Sequence, residues 1–147
     1  RYAFYAGRAE RSSPSGGLIS YGIHTVEIML ECHGADITSI HAVEQPPDAE
    51  RSNVTVTCSY EDGTLVTLAL LGDAKPGWRM LGIGEDGPID VPLETHDFYA
   101  MGIRRVLPVL RGEAEGPPQE QMLRSIQLFA AIEESLHQGT AVDPRNF

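Results

Sequence analysis

The chain has 147 residues, 41% hydrophobic and 22% charged, the size and make-up of one globular unit that needs no disulfide or metal staple. Its formal net charge is -10 and Lys75 is its only lysine. Phosphate neutralisation and anionic-lipid binding both need clustered cations, so nucleic acid and membrane surfaces are poor partners for it.

The first eight residues, Arg1 to Arg8, read as a short strand with aromatics at Tyr2, Phe4 and Tyr5. A Ser-, Pro- and Gly-rich loop follows to Gly17. From Leu18 to His33 the apolar residues Ile19, Ile23, Val26 and Leu30 recur at helical spacing, and Gly34 suits a helix end. Extended segments are expected at Ile37–Val43, Val54–Tyr60, Thr64–Leu71, Trp78–Gly84 and Pro88–Leu93. Asp62-Gly63 and Asp86-Gly87 supply tight hairpin turns. Pro88 and Pro92 cannot donate to a ladder, which puts the last of these strands near a sheet edge. Helices are expected from His96 to Leu110, where Pro108 would kink or shorten the helix, and from Pro118 to Gln138. Gly139 ends the second, and Ala141 and Val142 could add a last short strand. The order is α+β: an open, largely antiparallel or mixed sheet with helices on one face, the other face free for solvent or a partner.

No apolar run reaches the ~18 residues of a bilayer span, and no basic flank precedes an apolar stretch as in a signal peptide. Cys32 and Cys58 match no metal pattern and read as half-buried thiols in a reducing compartment, so a cytoplasmic location is expected. The chain begins with Arg1 rather than Met, which suggests processing or excision from something longer.

Two motifs compete for attention. Gly82-Ile83-Gly84-Glu85-Asp86-Gly87 matches the dinucleotide fingerprint G-x-G-x-x-G. That fingerprint works only where a strand turns into a helix, so that pyrophosphate meets the helix N-terminus. Here Pro88-Ile89-Asp90-Val91-Pro92 follows, and Glu85 and Asp86 lie where the anion would sit, so the segment is read as a hairpin. The second motif is Gly16-Gly17-Leu18-Ile19-Ser20-Tyr21-Gly22-Ile23-His24-Thr25-Val26-Glu27. Ser20, His24 and Glu27 share one helix face, so a hydroxyl, an imidazole and a carboxylate line one stripe. A histidine so placed can move protons near neutral pH, oriented by the carboxylate; the bland alternative is a surface or packed His–Glu pair.

The second motif resembles the paired-glycine, Asp-x-Gly-x-His-x-x-Asp signature of the glucose–fructose oxidoreductase, inositol dehydrogenase and MocA-type (Gfo/Idh/MocA) oxidoreductases. The resemblance continues through Tyr60-Glu61-Asp62-Gly63-Thr64, the Leu81–Ile89 hairpin and the closing helix with Ala130, Ile132, Glu134, Ser135 and Gly139. It implies that residues 1–147 are a C-terminal substrate-binding and oligomerisation domain. An N-terminal Rossmann domain, absent from this chain, would be its partner and would bind NAD or NADP; no cofactor is expected in this chain itself. His24 falls on the family's catalytic His, Ser20 on its signature Asp and Glu27 on the later acidic position. The serine removes a carboxylate and puts standard sugar or polyol oxidation in doubt. The family's catalytic Glu-Lys-Pro motif has no counterpart here. Tyr21 and His96 are further candidates for touching a small-molecule substrate. Trp78 and Arg79 read as sheet-face residues at an interface.

Three functions remain open on this reading: the substrate domain of a dehydrogenase for a sugar, polyol or related hydroxy compound, inactive alone; a non-catalytic dimerisation module that lost the catalytic Asp; or a cofactor-independent lyase or isomerase using His24 and Glu27. Self-association through the open sheet face is expected.

Overall fold

The computed structural model describes residues 1–9, 17–45, 53–72, 78–93 and 97–147. One six-stranded sheet is built from β1 (Tyr2–Arg8), β2 (Ile37–Gln45), β3 (Asn53–Tyr60), β4 (Leu65–Leu71), β5 (Trp78–Gly84) and β6 (Gly87–Leu93). Its order is β2-β3-β4-β1-β5-β6. Only β1 and β4 run parallel; every other neighbouring pair is antiparallel. The expected α+β class with an open mixed sheet is therefore observed. The Asp-Gly turns form as read, with Gly63 at φ 82° and Gly87 at φ 102°, angles that carry no steric cost without a Cβ.

Helices α1 (Ile19–His33), α2 (Phe98–Leu110) and α3 (Gln119–Gln138) follow the expected bounds to within a few residues. Pro108 sits inside α2, which continues to Leu110. Helix α1 lies on β1 and β4, while α3 lies on β2 and against α1. Between them and the sheet are Val26, Met29, Ile40, Val56, Leu68, Leu70, Phe129 and Ile132, all essentially inaccessible. Each such side chain contributes about 1.5–3 kcal/mol of burial. On α3 Ala131 is sealed while Ala130 is exposed, and Met122, Leu123 and Ile126 of the early turns are exposed too.

The outer edge of β2 is covered by the tail. Ile40 and Val142 exchange backbone hydrogen bonds of 2.9 Å, so the last strand expected at Ala141–Val142 is a single bridge. Ser135, fully buried on α3, accepts from the Ala42 N–H (2.9 Å) and donates to the Thr140 carbonyl (2.7 Å). The opposite edge, β6, carries Pro88 and Pro92, which blunt it against further strand pairing. The cysteines depart from the half-buried reading: Cys32 is exposed on α1 and Cys58 is sealed inside, its thiol pushed up to about 12 by burial.

Candidate functional site

Helix α1 reaches its place through two glycines. Gly17 precedes it at φ 61°, and Gly22 faces the core where a Cβ would stand 2.9 Å from Phe129 Cζ and 3.4 Å from Ala9 Cβ. With Gly22, Thr25, Val26 and Met29 turned inward, Tyr21 and Glu27 are left outward and Ser20 and His24 fall on the boundary.

At that boundary the His24 side chain is 39% exposed, and its Nδ1 lies 3.5 Å from Glu27 Oε2, one turn on. This is an ion-pair distance rather than a short hydrogen bond. Nδ1 itself is sealed from solvent, so the exposed part of the ring is its other atoms. The Trp78 indole stands against the imidazole edge-to-face, centroids 6.0 Å apart at 82°. Trp78 is the first residue of β5 and is paired with Gly7 of β1 and Leu93 of β6. Ser20 lies half-buried one turn before His24. Tyr21 is exposed, and the Arg8 guanidinium sits over its ring at 5.6 Å from the centroid, a cation–π contact at the end of β1. His96 lies outside the described residues; the strand leading towards it ends at Leu93, beside Trp78.

Thus the structure brings His24, Glu27 and Trp78 together and sets Tyr21 with Arg8 beside them. Trp78 is a correction to the sheet-face interface reading, because it faces α1 and not the open side. Arg79, next to it, does face outward and forms a two-pronged pair with Asp90 across the β5–β6 hairpin. The one trace of this contact in the sequence is Gly7, which marks the place but not the residue that fills it. In a strand whose inward positions are Ala3, Tyr5 and Gly7, a missing side chain marks a place where something else comes close. The run Gly82–Gly87 does close the β5–β6 hairpin, with Gly84 and Gly87 paired. Among the described residues no group of three or more His, Cys, Asp or Glu could hold a metal ion, and no helix is long and apolar enough to cross a membrane.

Similar architecture occurs in solved structures. GenD2 from gentamicin A biosynthesis, solved in complex with NAD, superposes with a TM-score of 0.78 at 15% identity, over 97% of this chain and 55% of that one. The fold is that of Gfo/Idh/MocA-type oxidoreductases. A myo-inositol dehydrogenase from Corynebacterium glutamicum gives 0.77 at 14% identity, over 97% of this chain and 56% of that one. A scyllo-inositol dehydrogenase from Lactobacillus casei gives 0.70 at 14%, over 98% and 55%. The chain therefore spans little more than half the length of these proteins, and at such identity the likeness is one of fold. No protein-family model matches the sequence, and no curated protein does.

Proposed function

We propose that residues 1–147 are the substrate-binding domain of an NAD(P)-dependent dehydrogenase acting on a sugar, polyol or related small hydroxy compound. In this reading His24 is the proton carrier. The observation that carries it is the placement of His24: half-exposed at the rim where α1 meets β1 and β5, its buried Nδ1 beside Glu27 and its ring against Trp78. A proton from a substrate hydroxyl passes to Nε2, and Glu27 balances the imidazolium that results. Ser20 and Tyr21 flank this position as substrate contacts, and His96, which lies outside the described residues, is proposed as a further one.

The chain's own residues do not fit a nicotinamide dinucleotide. Pyrophosphate needs a glycine-rich turn from strand into helix, and the Gly82–Gly87 run turns strand into strand beside Glu85 and Asp86. Cofactor binding accordingly belongs to an N-terminal Rossmann domain joined to this one.

The test is turnover of a panel of sugars, polyols and hydroxy acids by the protein extended through such a domain, with NAD or NADP. His24→Ala is expected to lower kcat by about 10²–10⁴-fold. Unchanged turnover in that variant removes the reading.

A second reading, a non-catalytic dimerisation module, is favoured by the open sheet face, where Tyr2, Leu65, Leu81 and Ile83 form an exposed apolar stripe across β4, β1 and β5. Self-association through this stripe belongs to both readings; a monomeric mass by light scattering at micromolar concentration counts against it. The two part on nicotinamide binding by the extended protein, which only the first expects.

A further inference from the structure

We propose that Trp78 is a positioning residue that sets the orientation of the His24 imidazole, an inference that rests on the reading of His24 as proton carrier. The indole is held from three sides. Its backbone is paired on one side to Gly7 and on the other to Leu93, so β5 cannot shift without breaking two ladders. The gap left by Gly7 is filled from above: a Cβ there would stand 2.2 Å from Thr25 Oγ1, 2.6 Å from Trp78 Cδ1 and 2.7 Å from Trp78 Nε1. Thr25 is fully buried on α1, next in sequence to His24, and Trp78 Nε1 is sealed from solvent. Indole, threonine and glycine therefore interlock where α1 crosses the end of β1, and none can move independently in a close-packed interior.

The imidazole has two rotatable bonds. Glu27 beside Nδ1 favours one ring orientation, because a half-turn of the ring would carry that nitrogen away. The indole standing edge-to-face at 6.0 Å blocks the swing about the first bond. Together they turn Nε2 towards bound substrate before substrate arrives, so the ordering cost is met in folding and not in the reaction. Neither contact suffices alone: Glu27 is half-exposed on a flexible stem, and the indole presents no charge to choose between the nitrogens.

The experiment is nuclear magnetic resonance of the 147-residue chain, joined to kinetics of the extended protein. In the unmodified chain an Overhauser contact between the Trp78 indole and His24 ring protons is expected, with one predominant imidazole tautomer by nitrogen shifts. Trp78→Met, which fills the space with a flexible side chain, is expected to average the two nitrogen shifts. In the extended protein it should lower kcat by about 10- to 100-fold with KM changed less than about twofold, because a misplaced catalytic group costs rate. Trp78→Phe keeps an aromatic edge and is expected to restore both. Absence of the Overhauser contact in the unmodified chain overturns the inference whether or not any variant folds. So does a Trp78→Met variant with lowered melting temperature but unaltered imidazole signals. Unchanged turnover in His24→Ala instead overturns the proposed function, even where the imidazole signals respond to Trp78.

Discussion

Among the described residues, helices cover one face of the sheet over the four strands from β2 to β1; over the β5–β6 hairpin they reach only its first residues. Over the first four, α1 and α3 seal one face, and inward residues such as Val54, Val56, Val66 and Leu68 are lost to solvent. Beyond β1, the helix-side face continues without a full cover: Ile89 and Val91 are exposed on β6. Helix α2, which follows it, leaves Tyr99, Met101, Ile103, Val106 and Leu110 exposed and packs on no other described element to a comparable extent. The same residue types thus build a finished core in one region and an unfinished surface in the other. The candidate site lies on the seam between them, where Trp78 of β5 meets His24 of α1.

The sharpest way to break this comparison is to truncate one side chain from each region. Leu68→Ala opens a cavity under α1 and is expected to cost about 2–5 kcal/mol. Ile89→Ala, at a side chain 54% exposed on the helix-side face of β6, is expected to cost no more than about 1 kcal/mol when measured below the concentration of self-association. Urea unfolding of both variants checks the pair. A loss at Ile89 equal to that at Leu68 would make the outer hairpin part of the core and end the distinction.

Much of the finished region was legible in the chain. The helical spacing of Ile19, Ile23, Val26 and Leu30, the alternation from Val54 to Tyr60 and the two Asp-Gly turns are local patterns, and local physics decides them. The pairing of β1 with β4 was not legible, since parallel neighbours separated by some sixty residues leave no mark in either segment. For the site, Ser20, His24 and Glu27 could be read because all three lie on one helix. Trp78 could not, because its approach to His24 depends on β5 pairing with β1 at Gly7, a register set by tertiary packing. The exposure of α2 was equally hidden: its apolar spacing matches that of a core helix, and only the fold shows that no described element packs on it as α1 and α3 pack on the sheet.

A smaller effect is expected where the finished region is closed by a single polar residue. Ser135 ties β2 to the tail through the Ala42 N–H and the Thr140 carbonyl. Ser135→Ala leaves a buried N–H without its acceptor, a loss of about 1–3 kcal/mol. Unfolding measurements give the size, and faster amide exchange at Ala42 and Val142 is expected to give the location. Unaltered exchange at both would mean that the tail holds β2 without the serine.

The smallest effect belongs to His33, at the last turn of α1, which packs against Tyr5 (5.8 Å, 90°) and Tyr60 (5.9 Å, 53°) on the sealed side of the sheet. Burial holds its imidazole below the ordinary value, and the charge of Asp62 opposes this more weakly. In the unfolded chain the group titrates near about 6.5, so between that value and the lowered folded one the unfolded state binds more protons. The contribution of His33 is therefore complete above about pH 6.5 and is lost as the pH falls through the lowered folded value. His33→Phe keeps both ring contacts and removes the proton. Its unfolding midpoint is expected to vary less than that of the unmodified chain between about pH 7.5 and about pH 5.5. Equal slopes for the two proteins would show that His33 is as accessible to protons as a residue of the unfinished side.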